Sequence, residues 1–300
     1  MKQVSIIIPI FKPTSNRLTN LLFLLKKLQL QVVLDLCEII VVEQKSDVGD
    51  VENILKIYPH IIHSKIEVEG DVFNKSILIN RACETTSSKY IWIVDSDFYT
   101  DFGLILSKIN EFKDFTRPFD EIILLSEEES DLLINSDYVQ MNRDEYETSS
   151  ANGKYSFIVL KDVFIRSGMM NENFKGWGFQ DLDFVENRLV SCEISYISTL
   201  AFHLWHPPAS KEFVNQNKLL FGRYKLDEPT EEYKYTPEIP NVSVKQQVIV
   251  DNNKKVKSKT DSDLKPKIEF TYIHVSYIKN FSFFNNLGKN STYISAQTFK

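Results

Sequence analysis

Hydrophobic positions along the chain fall in short blocks separated by polar stretches with helical spacing. Val4–Phe11 (VSIIIPIF) is an almost unbroken apolar run of strand length, the pattern of a parallel strand covered on both faces. Thr14–Asn16 offers helix N-caps, and apolar residues then recur to about Leu36. Glu38–Val42 (EIIVV) predicts a second strand, Val51–Tyr58 a short helix closed by Pro59, and Ile61–Val68 a third strand. Phe73–Thr85 carries helical spacing in Ile77, Leu78 and Ala82, and Tyr90–Val94 (YIWIV) predicts a fourth strand. Strand and helix alternate through all four, which predicts an α/β doubly wound sheet. Ligands in such sheets bind beyond the carboxyl ends of the strands.

Beyond Asp97 the pattern is less regular. It predicts a helix over Leu104–Phe112, a strand over Glu121–Leu125, an acidic loop at Glu127–Asp131 and a polar loop at Asp144–Asn152. A strand at Phe157–Leu160, a helix starting in Lys161–Ser167, a helix over Asp181–Leu189 and a strand at Ile194–Ile197 follow. From about Leu226 the character changes. Pro229, Pro237, Pro240 and the tract NNKKVKSKTDSDLKPK read as a linker over 226–267, and IEFTYIHVSY opens a short strand-rich appendage over 268–300. Residues 1–225 are expected to form the main domain.

Apolar residues make up 43% and charged residues 25%, the balance of a globular chain able to bury a core without staples. The charge is uneven. Residues 1–208 hold 20 Lys/Arg and 31 Asp/Glu, a balance of −11, whereas 209–300 hold 15 and 10, a balance of +5. The acidic body argues against nucleic acid as a partner. The basic tail permits peripheral contact with a membrane surface or an acidic partner, beside the plainer reading of a solvated Lys-rich end. Cys37, Cys83 and Cys192 are odd in number and far apart, so free thiols in a reducing compartment are expected. The first residues lead straight into a strand rather than a signal peptide. The apolar stretch at 21–25 stops at Lys26-Lys27, too short to span a bilayer. A cytoplasmic protein is expected, compatible with association at the inner face of a membrane.

Three constellations carry chemistry. Asp95-Ser96-Asp97 directly follows the fourth strand. Two carboxylates released from a strand end can converge on one divalent cation, and hard oxygens suit Mg²⁺ or Mn²⁺. Alone, such a pair is equally a solvated turn. Gly176-Trp177-Gly178-Phe179-Gln180-Asp181-Leu182-Asp183 is the second. Glycines beside a tryptophan allow an unusual backbone path around a large ring. Asp181 near a helix start can be a general base beside a bound hydroxyl, or only a cap. The third is His203-Leu204-Trp205-His206, where two imidazoles three apart can share one side of a turn and a metal, or serve structure alone. His60, His63 and His274 read as structural. Gly is scarce, 9 of 300, so a pair around Trp177 needs a reason.

In this order the motifs resemble the metal-dependent glycosyltransferases of the GT-A fold, in the branch of the β-1,4-galactosyltransferases, polypeptide N-acetylgalactosaminyltransferases and bacterial chondroitin-type polymerases. The matching pieces are VSIIIPIF, FNKSILIN at 73–80 (like FNRAxLLN), DSD at 95–97, NENFKGWGFQDLDF at 171–184 (like WGWGGEDDD) and HLWH at 203–206. The resemblance covers residues 1–225. It implies a nucleotide-sugar donor, usually UDP-linked, near Pro9, Phe11, Glu43, Phe73, Asn74, Arg81, Asp95 and Ser96. It implies Mn²⁺ or Mg²⁺ held by Asp97, His203 and His206 with Asp95 beside them. Asp181 is implied as the catalytic base, and Trp177, Gly178, Gln180 and Asp183 as contacts to the glycan acceptor. Relatives have Gly-Glu where this chain has Phe179-Gln180, so acceptor identity does not transfer. The carboxylate at Asp181, where retaining relatives carry Asn, implies inversion, and surface polysaccharide synthesis (capsule or lipopolysaccharide) is the implied setting. Two rivals stand against it. A nucleotidyltransferase normally carries a Gly-rich loop after strand one, which FKPTSNRL lacks. A catalytically silent glycan-binding or nucleotide-sugar-binding module on the same fold is the other.

Overall fold

The computed structural model describes residues 2–32, 34–46, 51–136, 148–150 and 156–225. The linker and appendage expected over 226–300, and most of the polar loop 144–152, lie outside the described residues. The chain runs β1 Val4–Ile10, α1 Ser15–Gln31, β2 Cys37–Gln44, α2 Val51–Leu55, β3 Ile62–Ile66, α3 Lys75–Thr85 and β4 Tyr90–Val94. It continues β5 Phe98–Thr100, α4 Phe102–Ser107, β6 Phe115–Arg117, β7 Glu121–Leu124, α5 Glu127–Ser136 and β8 Thr148–Ser150. The last elements are β9 Ser156–Leu160, α6 Lys161–Arg166, α7 Gln180–Asp183, β10 Ile194–Tyr196, β11 Leu200–His203 and α8 Val214–Lys225.

A seven-stranded sheet has the order β10-β6-β9-β4-β1-β2-β3. β4, β1, β2 and β3 are mutually parallel, and β9 runs antiparallel to both β4 and β6. Every residue of β1 and β4 is buried, as their unbroken apolar sequence requires. Two apolar clusters cover the two faces. Ile6, Ile8, Trp92 and Ile158 point to one, and Ile7, Ile91, Ile93 and Phe157 to the other. Strand order reverses between β1 and β4, the switch point where doubly wound sheets open a crevice. Pairing shows the opening. β1 pairs with β2 through Ile10 but with β4 only through Ile7. Pro9, which has no N–H to donate, sits just past that split.

A second sheet of four strands, β5-β11-β7-β8, abuts the first. Its strands are three or four residues long, too short to announce themselves by period, and only β7 among them is expected from the sequence. The chain passes from β4 into β5 through Asp95-Ser96-Asp97, so the paired acids stand at the junction of the two sheets.

Two expectations need correcting. Glu127–Asp131 is not a loop but the start of α5. Ser126 and Glu129 form a capping box there: Glu129 N–H donates to Ser126 Oγ at 3.2 Å, and Ser126 N–H donates to Glu129 Oε2 at 2.7 Å. The helix expected over Leu104–Phe112 is shorter, α4 followed by a 3₁₀ turn at Ile109–Glu111.

Candidate active site

Asp97 is the centre of the first group. Its side chain is only 5% exposed. β5 and β11 pair antiparallel with Phe98 opposite His203, and Leu204 N–H donates to the Asp97 carbonyl at 2.8 Å. This pairing brings residues more than a hundred apart together. His203 Nε2 lies 3.7 Å from Asp97 Oδ1, and His206 Nε2 lies 3.1 Å from Asp97 Oδ2. Asp97 and the two imidazoles present donor atoms all within 4.8 Å of one another. Ligands around a divalent ion at about 2.0–2.2 Å stand roughly 3 Å apart, so the set fits such an ion.

The electrostatics agree with the geometry. Burial alone would raise the Asp97 pKa, but His206, His203 and Arg17 outweigh it and hold the carboxyl well below its usual range. His203 is pushed down by burial, toward the neutral form that binds metals. Burial also works to lower His206, but its bond to Asp97 reverses the sign, so its pKa is raised.

Lys75 holds the second group together. It opens α3 just after Asn74, the N-cap, whose side chain accepts from Ile77 N–H at 3.1 Å. Lys75 Nζ lies 2.6 Å from Asp95 Oδ1 and 2.9 Å from Asp181 Oδ2, with only 9% of its side chain exposed. Burial would discharge a lone lysine. Here Asp181 and Asp95 overcome burial and raise its pKa. Asp95 itself is pushed up to about 6, chiefly by burial, against the pull of Lys75. Asp181 keeps one oxygen on Lys75, while its Oδ1 is buried with no hydrogen-bond partner. The second oxygen is thus an acceptor left unclaimed beside Lys75.

The glycine pair does what its scarcity foretold. Gly176 has φ 63° and Gly178 φ 104°, both in the left-handed half of the map. A Cβ on Gly176 would stand 3.1 Å from the Phe213 ring. Between them Trp177 is 52% exposed, a large apolar face offered to solvent. Its loop is braced. Gly176 N–H donates to the Phe73 carbonyl at 2.8 Å. Gln180 Nε2 donates to the Gly176 carbonyl at 2.6 Å. Buried Asn217 of α8 directs its amide at the carbonyls of Lys175 (2.8 Å), Gly178 (3.1 Å) and Trp177 (3.2 Å).

The remaining predicted residues divide. Phe11 and Phe73 lie parallel, ring centres 6.0 Å apart, past the end of β1 and before α3. Glu43 and Ser96 are buried, and Glu43 Oε2 lies 2.9 Å from His63 Nε2. Asn74 is taken up by fold contacts, its Nδ2 donating to the Glu172 carbonyl at 2.7 Å. Arg81 lies further along α3, exposed and paired with Glu84 at 2.7 Å, rather than with the acids of the site. Asp183 corrects the expectation of an acceptor contact. Its side chain is 0% exposed and bonded to Arg188 Nε at 3.1 Å and Asn187 Nδ2 at 2.8 Å, so it serves the core. Arg17, Lys75 and Asn217 were missed. Of these only Lys75 had a signal, a cation at the start of α3 inside the stretch FNKSILIN.

No protein-family model and no curated protein matches the sequence. Solved structures do. The 1–349 fragment of S. aureus TarS in complex with UDP-GlcNAc aligns with TM-score 0.53 and 16% identity, over 77% of this chain and 68% of that one. The same fragment with UDP gives 0.50 and 13%, over 77% and 67%. Against a longer S. aureus TarS chain the values are 0.51 and 14%, and this chain spans 41% of its length. The likeness shows the fold: a mixed, mostly parallel sheet flanked by helices, of the GT-A type expected from the sequence.

Proposed function

We propose that the chain is an inverting glycosyltransferase that moves a sugar from a nucleotide sugar, of the UDP class, to a hydroxyl of a glycan acceptor. One observation carries the reading: Lys75 bridges Asp95 and Asp181, so the strand-end acids and the acid of the GWG segment share one site. The complexes of the fold neighbour with UDP-GlcNAc and UDP support a UDP-linked donor. The donor base and ribose belong near Phe11, Phe73, Glu43, Pro9 and Asn74, at the open end of β1 and β2. Asp95 and Ser96 flank the phosphates.

Asp97, His203 and His206 would hold the divalent ion, which offsets charge on the departing diphosphate. Asp181 accepts the acceptor's proton on its free oxygen as that hydroxyl attacks the anomeric carbon from the opposite face. Lys75 fixes the other oxygen and so orients the base. Trp177 offers the acceptor sugar an apolar face, with Gly178 leaving room beside it. The setting is a surface polysaccharide. Among the described residues no helix is long and apolar enough to cross a membrane. Membrane contact is assigned to the basic C-terminal tail.

The test is turnover of UDP-GlcNAc and other UDP-sugars with Mn²⁺ by wild type and Asp181→Asn. A positioned base contributes roughly 10²–10⁴ in rate, and the variant should lose that much. Equal turnover would remove Asp181 from its role. Hydrolysis of UDP-sugar without acceptor, absent from both proteins under every metal condition, would favour a binding module instead.

A further inference from the structure

Arg17 stands in the first turn of α1, directly after the crevice-forming strand. Its Nη1 lies 3.1 Å from Asp97 Oδ2, and its Nη2 lies 3.2 Å from His206 Nε2 and 3.3 Å from His206 Nδ1. The guanidinium is mostly covered, 29% of the side chain remaining exposed. His206 Nδ1 lies 2.7 Å from the Pro207 carbonyl, and its Nε2 lies 3.1 Å from Asp97 Oδ2.

Arg17 places a positive charge against Asp97 and His206, two of the three residues whose donor atoms converge. A divalent ion on these residues would meet that charge. A guanidinium also pairs bidentately with phosphate oxygens. Arg17 begins the helix that follows β1, at the end of the sheet where the donor's diphosphate belongs.

We propose that Arg17 is a resident stand-in for the divalent ion: it occupies the ligand set in the metal-free protein, leaves when the ion enters, and passes to the donor's diphosphate. Metal and nucleotide binding are thereby coupled through one side chain. The proposal rests on the reading of Asp97, His203 and His206 as the ion's ligands.

Mn²⁺ binding to the full chain, followed by loss of the free-ion paramagnetic resonance signal with and without UDP, tests it. Without UDP, Arg17→Gln should bind Mn²⁺ at least about fivefold tighter than wild type, the low end of ordinary coupling between sites. Arg17→Lys, which keeps the charge but loses the fork, should fall between and guards against a folding defect in the first variant. With UDP the gap should close, because wild-type Arg17 then has another anion. Equal or weaker binding by Arg17→Gln without UDP overturns the competition. A gap that persists unchanged with UDP overturns the transfer to the diphosphate. Asp97→Asn separates the two layers. If it leaves Mn²⁺ binding intact, the ligand set itself is wrong; if it abolishes binding while Arg17→Gln matches wild type, only the role of Arg17 falls.

Discussion

Lys75→Met replaces a buried ammonium by an apolar chain of similar length and leaves Asp95 and Asp181 facing each other. The ammonium touches both acids, at 2.6 and 2.9 Å. Removing one partner of a buried ion pair costs about 3–5 kcal/mol. The acids keep 24% and 17% side-chain exposure and can share a proton, which moderates the figure to about 2–4 kcal/mol at pH 8. The sign of the pH dependence follows from Asp95. Its pKa is already raised from 3.8 to about 6 with Lys75 present, and loss of the cation raises it further. A carboxyl whose folded pKa exceeds its unfolded one stabilises the fold fully below the unfolded value and loses that contribution as pH rises through the folded value. The deficit of Lys75→Met should therefore be smallest near pH 5, where Asp95 is protonated in both proteins, and grow until about pH 8. Urea unfolding at pH 5, 6.5 and 8 with unchanged m-values reads it directly. A deficit of the same size at all three pH values would mean that Lys75 contributes packing and not charge, and the bridge would cease to support a shared site.

Four further outcomes follow from the geometry. Asp181→Asn should keep its unfolding midpoint within a few degrees of wild type while losing turnover. Asp97→Asn and the double variant His203→Ala, His206→Ala should each abolish measurable Mn²⁺ binding by calorimetry. Gly176→Ala should lose about 1–3 kcal/mol in urea unfolding, because its φ of 63° and the Phe213 ring 3.1 Å from a Cβ both resist a side chain. Asn217→Ala should raise the acceptor KM more than it lowers kcat, since it frees carbonyls of the Trp177 loop without touching Asp181; an unchanged KM at lowered stability would leave Asn217 a packing residue only.

The parts of the fold legible in sequence are those where one physical demand acts alone. β1 and β4 are buried on both faces, so composition betrays them. β5 and β11 are made by pairing with each other, and three or four residues carry no period to read. Yet that pairing is what joins Asp97 to His203. The candidate ligand residues were visible as motifs, and the reason for their meeting was not. Ser126-Glu127-Glu128-Glu129 is the opposite case. Its charge suggested a loop, though the serine three residues before Glu129 was a capping box in plain view. Arg17 and Asn217 sit on helices among other polar residues, where nothing local separates a solvated side chain from one that turns inward. Asp183 misled for a related reason: a second acid two residues from Asp181 falls on another face of the turn, and its partner Arg188 lies beyond the motif.

Phe179 takes a left-handed backbone that favours glycine, at φ 72°. A bulky residue there costs about 1–2 kcal/mol. The ring offsets this by packing on Phe221 of α8, ring centres 5.4 Å apart, a contact worth about 0.5–1.5 kcal/mol beyond the area it buries. Two substitutions separate the terms. Phe179→Gly loses the ring and the strain together, so its stability should stay within about 1 kcal/mol of wild type. Phe179→Ala loses the ring and keeps the strain, so it should fall about 2 kcal/mol or more. At ordinary positions alanine is the more stable of the two by about 0.5–1 kcal/mol. The order of the two midpoints in urea is thus the test. Glycine above alanine means that the segment bearing Trp177 and Asp181 is held in a strained turn by its own aromatic brace. Alanine above glycine means that the turn relaxes in solution, and Phe221 is not what fixes Asp181 beside Lys75.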